Sequence, residues 1–361
     1  MTYLFFVQGE GRGHLTQALT LYAELKKRGH KILAVIAGPD PNSKLPDFFE
    51  EQFKDKLIRI YSPKFVVDKN GQGINMPASV IRTLGQFRRY RQSLKQIKKI
   101  IAETNPDALI NFYEPLAGVY FRCYRDKRPL FCIGHQYFIG HPIFKFPTGR
   151  FSERFGLKFY NWITAPRQAL KIALSFTAAD DLIGQRLIVC PPLIRQSLKR
   201  QKPVNGNFIL IYLLNAGYGQ EIINWSEKNP DVKIEAFWNK PDSEITFSNP
   251  NLIFHDLHGE KFMNRLANCA AYVSTAGFES IAEAAYLQKD ILMIPTKNHF
   301  EQKCNAKDAG RAGIALTSKN FDLSLIYQKE KPRSDAALCA FKEWVDKYND
   351  KIIRVLEGKN I

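Results

Sequence analysis

Short apolar runs alternate with amphipathic stretches along nearly the whole chain. Tyr3–Val7 reads as a buried strand. The following LTQALTLYAELKKRG repeats its apolar positions at helical spacing and closes at Gly29. Further strands are expected at Ile32–Ile36, Leu57–Ile60, Ala108–Phe112, Pro129–Gly134 and Ile172–Phe176, and one long basic helix from Ala78 to Glu103. A second series places strands at Phe208–Leu213, Lys233–Phe237, Leu252–Phe254, Ala271–Ser274, Ile291–Ile294 and Ile314–Leu316. Helical patterns such as EKFMNRLANC and FESIAEAAYLQ lie between them. Strands separated by helices imply parallel sheets with right-handed crossovers.

The polar, basic, proline-rich stretch 191–207 interrupts the pattern and reads as a linker. The domain plan is therefore an N-terminal α/β domain over 1–195, a linker over 196–207 and a second α/β domain over 208–334. Terminal helices over 335–361 are placed to pack back on the first domain. Two doubly wound halves leave a cleft between them, where such sheets bind ligands.

Composition supports this plan, and charge adds to it. The 361 residues suit two domains, and 45% hydrophobic with 12% aromatic residues suffice for large cores. No apolar run reaches the roughly 18–20 residues of a membrane span. The chain begins directly on an apolar strand, MTYLFFV, without a basic leader, so a cytoplasmic location is expected. Residues 1–204 carry 33 Lys and Arg against 15 Asp and Glu, whereas residues 205–361 carry 19 against 20. The whole surplus behind the net charge of +17 thus sits on the first half, which is expected to face a polyanion. The six cysteines show neither CxxC nor Cys/His metal spacing, so reduced thiols and no metal are expected.

Candidate chemistry sits at two strand–helix turns. The first strand runs into Gly9-Glu10-Gly11-Arg12-Gly13-His14 and then a helix. Glycines permit a tight turn, and a helix N-terminus suits an anion. His14 stands where a dinucleotide fingerprint has its third glycine. An imidazole there accepts a proton from an acceptor hydroxyl, or else caps the helix or contacts phosphate. The acidic residue after the second strand, Asp40, is a loose partner for such a loop. In the second half, Ser274-Thr275-Ala276-Gly277 leads into a helix carrying Glu279 and Glu283, four apart and hence on one face. A diphosphate fits that helix end and a ribose fits a carboxylate one turn in; the alternative is a crossover helix with solvated glutamates. Beyond ILMIP, Glu301-Gln302 opens another helix; the pair suits vicinal sugar hydroxyls, or simply the helix dipole.

Together these segments resemble the GT-B glycosyltransferases, two Rossmann-like domains with a cleft between them, and within them the branch of MurG and the diacylglycerol glycosyltransferases. The resemblance is dense over 252–318, where Gly277, Ser280, Ile281, Glu283, Ala284, Pro295, Glu301, Gln302, Asn305 and Ala306 match in order and spacing. It implies a nucleotide-sugar-dependent hexosyltransferase with His14 as acceptor base. Gly277, Phe278, Ser280 and Gly217 (in the loop YLLNAGYG) would hold the donor diphosphate. Glu283 would hold the ribose, and Glu301 and Gln302 the donor sugar. His255, Leu257 and His258 would form the nucleobase pocket, and Gly11, Arg12 and Gly13 the acceptor loop. No cofactor is implied beyond the nucleotide sugar, a UDP-sugar foremost. The implied acceptor is lipid-linked or part of the cell envelope. Arg12 and Lys289-Asp290 depart from the family pattern. A sugar-nucleotide 2-epimerase of the same fold and a non-catalytic nucleotide-sugar or polyanion binder are the competing readings.

A basic, aromatic face completes the picture. Arg82, Arg88, Arg89, Arg91, Lys95, Lys98 and Lys99 follow one another without an acidic residue. Phe144, Phe146, Phe151, Phe155 and Phe159 then interleave with Lys145, Arg150, Arg154 and Lys158. Such a face suits peripheral docking on the anionic inner face of a cell membrane, or is a solvated helix beside core phenylalanines. No nucleic-acid partner is expected, because no recognised binding motif is present. His135 and His141 in GHQYFIGHP would line the acceptor cleft or serve as structural histidines.

Overall fold

The computed structural model describes residues 1–64, 66, 76–149, 151–213, 216–238, 248–327 and 335–359. In the first half β1 (Thr2–Val7), β2 (Lys31–Ala37), β3 (Leu57–Arg59), β4 (Ala108–Phe112), β5 (Leu130–Gly134), β6 (Leu170–Leu174) and β7 (Leu187–Cys190) form one sheet. Its order is β3-β2-β1-β4-β5-β6-β7, and its pairings are parallel. In the second half β8 (Phe208–Leu213), β9 (Lys233–Trp238), β10 (Leu252–Asp256), β11 (Ala271–Ser274), β12 (Asp290–Met293) and β13 (Leu316–Thr317) form another. Its order is β10-β9-β8-β11-β12-β13, again parallel. Each sheet winds outward from its first strand in both directions. The reversals, at β1/β4 and β8/β11, are the switch points where an α/β sheet binds ligands beyond its strand ends.

Residues buried on both faces make the central strands read as continuous apolar runs: Tyr3 to Val7 are all inaccessible. The helix Gly13–Lys27 lays Leu15, Ala18, Leu21 and Leu25 on the sheet and stops at Gly29, whose φ of 79° favours glycine. One core runs through both halves, joined where Phe176 of the first packs on Phe278 of the second at 4.5 Å between centroids. The helices Asp335–Lys347 and Lys351–Leu356 bind the first half. Trp344 Nε1–H donates to the Ser175 carbonyl (3.1 Å), and Lys351 pairs with Asp181 (2.9 Å). Tyr286 of the second half in turn donates to Asp346 (2.8 Å).

Several expectations need correction. The basic helix expected over Ala78–Glu103 is two helices, Met76–Gly85 and Phe87–Thr104. A glycine inside a helix costs about 1 kcal/mol relative to alanine, and the chain turns just after Gly85, at Gln86. Strand β7 was not expected, because its four residues run straight into Pro191-Pro192. The linker stretch contains a short helix, Gln196–Lys199. Of the phenylalanines at 144–159, Phe144 is buried and Phe146 packs on the core, so they belong to the interior. Arg150 lies outside the described residues. Phe151, Phe155 and Phe159 are exposed, and so are all seven basic residues from Arg82 to Lys99. No helix among the described residues is long and apolar enough to cross a membrane.

Candidate active site

A cavity opens between the halves at the ends of β8 and β11. Gly277, Ser280, Glu283 and Gln302 line it from the second half, and Arg12, Gly13, Thr16 and Arg195 from the first. The helix Phe278–Tyr286 points its N-terminus at this space and has no side-chain cap, so its first N–H groups are open to an anion. A Cβ at Gly277 would meet only the Thr275 carbonyl, at 3.7 Å. That glycine answers no packing need and leaves the helix end bare.

Glu279 and Glu283 do share a face, as their spacing requires, but neither is solvated: they are 6% and 2% exposed. Both oxygens of Glu283 accept from the Arg195 guanidinium, at 2.6 Å each. This forked pair fixes the carboxylate at the cavity wall and leaves each oxygen a further lone pair. Gln302 accepts from the Thr296 N–H (2.8 Å), which orients its amide at the cavity wall. Leu257 and His258 line the wall, and the Leu257 carbonyl accepts from Arg12 (3.3 and 3.4 Å). His258 also caps the helix Gly259–Asn268. His255 does not reach the cavity. It hydrogen-bonds Glu235 on β9 at 2.9 Å, and Glu235 also pairs with Arg265, so His255 belongs to a structural charge cluster. Gly217 sits exposed in the turn Ala216–Tyr218 and does not line the cavity, although Tyr212 from the same segment does. Residues 214 and 215 of that loop are outside the described residues.

The glycines of the first loop divide their work. A Cβ at Gly9 would overlap the Gly38 carbonyl at 1.7 Å, so Gly9 serves the packing of two loops rather than a ligand. Gly11 is exposed with φ of 73°, and Gly13 faces Glu279 across the cleft. His14 follows. Its Nδ1–H donates to Gln17 Oε1 (3.3 Å), which leaves the Nε2 lone pair as the basic site. The Gln136 amide approaches Nε2 at 3.4 Å but donates at 2.9 Å to Glu301 of the other half. Burial lowers the His14 pKa, and the Glu301 charge partly opposes this. The imidazole is therefore neutral at neutral pH. Tyr113 stacks on His14 at 5.4 Å with φ of 65°, and a non-glycine residue in the left-handed region marks strain held by its surroundings. Tyr160 and Tyr137 pack on Tyr113, forming an aromatic cluster beside the imidazole.

Gln17, Gln136, Tyr113 and Arg195 were absent from the sequence reading. Gln17 was the one with a signal, three residues from His14 on the same helix face. His135 and His141 are structural: His135 donates to the Leu174 carbonyl (2.7 Å) and stacks on Phe278, and His141 donates to the Asp180 carbonyl (3.0 Å).

A cleft between two Rossmann-like sheets, with an open helix N-terminus on the wall of the second half and an oriented histidine at the start of the first helix behind the glycine loop, defines the GT-B class of glycosyltransferase. The family comparison agrees: residues 1–328 match glycosyl transferase family 1, and the chain belongs to that family. Solved structures share the fold along nearly the whole length. The glycosyltransferase of kitacinnamycin superposes with a TM-score of 0.66 at 15% identity, covering 98% of each chain. Spinosyn rhamnosyltransferase SpnG, solved with thymidine diphosphate, gives 0.61 at 14% identity and covers 99% of this chain and 100% of its own. UGT2 of Phytolacca americana, solved with UDP-2fluoro-glucose and pterostilbene, gives 0.63 at 11% identity, covering 98% and 96%. A comparison with curated protein sequences finds no match.

Proposed function

We propose that this glycosyltransferase moves a sugar from a UDP-sugar to an acceptor hydroxyl on a lipid-linked or cell-envelope molecule. One observation carries the donor half of this reading. The cavity is shared by both halves, and it combines an open helix N-terminus with Glu283, held by Arg195, one turn further on. In this reading the diphosphate lies on the N–H groups from Gly277 to Ser280, the ribose on Glu283 and the sugar near Glu301 and Gln302. His14 Nε2 takes the acceptor proton as the acceptor oxygen attacks the anomeric carbon. The bond from that carbon to the diphosphate breaks, and the nucleoside diphosphate leaves as an anion held by the helix end. Gln17 is a positioning residue that keeps the His14 tautomer. The acceptor approaches beside the aromatic cluster of Tyr113 and Tyr160.

The acceptor half rests on the surface of the first half. On the helix Phe151–Thr164, Phe151, Phe155, Phe159 and Trp162 stand exposed in a row, stacked at 6.5, 6.1 and 5.6 Å. Arg122 lies over Trp162 at 4.3 Å. An aromatic row on a strongly basic half suits an anionic membrane surface that presents a lipid acceptor. The test is release of nucleoside diphosphate from a panel of nucleotide sugars, with and without membrane lipid. His14→Ala should lower kcat by about a hundredfold or more with donor affinity retained. Undiminished turnover would remove His14 as the base.

A further inference from the structure

Of the two carboxyls that line the cavity among the described residues, Glu279 is the one with no cationic hydrogen-bond partner, and Arg195 acts on it only through space. Glu283, four residues on, is matched by Arg195 through two hydrogen bonds. Glu279 instead receives a neutral amide: Gln17 Nε2–H donates to its Oε1 at 2.6 Å. Its other oxygen, Oε2, is buried and has no hydrogen-bond partner, and the residue is only 6% exposed. It lies in the first turn of the helix Phe278–Tyr286, beside the bare helix end at Gly277. A buried, unpartnered carboxylate oxygen costs far more than a buried O–H awaiting an acceptor. A carboxylate at that spot would also repel a diphosphate.

We infer that Glu279 is a donor-binding residue that works as a neutral carboxylic acid, donating its Oε2–H to a diphosphate oxygen of the nucleotide sugar. The inference rests on the donor reading above and deepens it. Burial raises the Glu279 pKa to about 8, with the Gln17 hydrogen bond opposing, the neighbouring Glu283 adding to it and the Arg195 charge opposing it. The acid form thus prevails at neutral pH and is lost above it. The ionisable groups facing Glu279 are Glu283 on its own helix and Arg195 at the end of the first half. Arg12 shares the cavity wall from the first loop, Tyr212 from β8 and His258 from the loop after β10, while His14 reaches Glu279 only through Gln17. Gln17 joins Glu279 to His14, so a single amide links the donor-binding acid to the base.

The test is calorimetric titration of the full chain with UDP and with thymidine diphosphate between about pH 7 and about pH 9. One unit above the pKa the neutral fraction is down about tenfold, so wild-type affinity should weaken by about that factor across the window. Glu279→Gln keeps the shape and every other ionisable group, so its profile should be flat, and at about pH 9 it should bind about tenfold more tightly than wild type. A second measurement needs no variant. Titrations in buffers of different ionisation enthalpy near pH 8.5 should show wild type taking up a fraction of a proton per nucleotide bound. Parallel profiles for wild type and Glu279→Gln, or no proton uptake, would overturn the role of Glu279 while leaving the donor site standing. Failure of wild type to bind either nucleotide at any pH would overturn the donor site and this inference together.

Discussion

Removing Arg195 separates two roles of the Glu283 carboxylate, support of the fold and binding of a ligand. The pair is forked, at 2.6 Å on both arms, with Glu283 2% and Arg195 24% exposed. Breaking a buried pair from one side costs about 3–5 kcal/mol, because the remaining charge is stranded. Arg195 is a quarter exposed and lines the cavity, so water can reach the abandoned carboxylate. The expected loss for Arg195→Ala is therefore at the low end, about 3 kcal/mol. Glu283→Ala should cost less, about 1–2 kcal/mol, since the guanidinium can turn to solvent. The double variant should fall short of the sum by about 1–2 kcal/mol, the coupling of the pair. Urea denaturation monitored by circular dichroism reads these differences as shifts in midpoint. Additive losses, or an Arg195→Ala cost under about 1 kcal/mol, would refute the reading of Arg195 as the group that holds the buried Glu283 carboxylate.

Other outcomes follow from the same geometry. Burial holds the His14 pKa below the usual histidine range, so the base stays neutral until the pH falls through that lowered value. Turnover should be level through neutral pH with its acid limb below about 6.5; an acid limb above 7 would contradict the assignment. Glu114, buried at the end of β4, has its pKa raised to about 7 by burial, partly offset by hydrogen bonds from Ser62 and the Leu116 N–H. Its folded form holds the proton where the unfolded form has lost it, so stability should fall between about pH 4.5 and 7, by roughly 2–3 kcal/mol. Glu114→Gln should remove that slope in denaturation midpoints, and an unchanged slope would contradict it. Replacing Phe151, Phe155 and Phe159 with serine should abolish flotation on vesicles of anionic phospholipid while soluble turnover persists. Flotation that survives, or wild type that never floats, would sink the membrane reading.

The second half was the more legible in sequence. Its strands β8 to β12 fell near their expected places, because parallel strands buried on both faces appear as unbroken apolar runs. Gly277, Ser280, Glu283, Gln302, Leu257 and His258 come together on the cavity, since they follow strand ends at one sheet edge. His255 stood two positions away but was taken by Glu235, a partner from the next strand that no local pattern announces. The first half hid its site better. His14 announced itself through the loop, but Gln17, Gln136 and Tyr113 act through contacts across 3 to 165 positions of chain. Arg195 sat in a basic stretch where nothing distinguished it from its neighbours. Helical periodicity put Glu279 and Glu283 on one face, but their burial depends on the first half closing over them.

A crystal structure of the protein with UDP tests the central claim most directly. The diphosphate should lie on the backbone N–H groups from Gly277 to Ser280, with the ribose hydroxyls on Glu283 and His14 facing the β-phosphate across the cleft. A nucleotide seated instead on the Gly9–Gly13 turn of the first half, or away from the shared cavity, would contradict it.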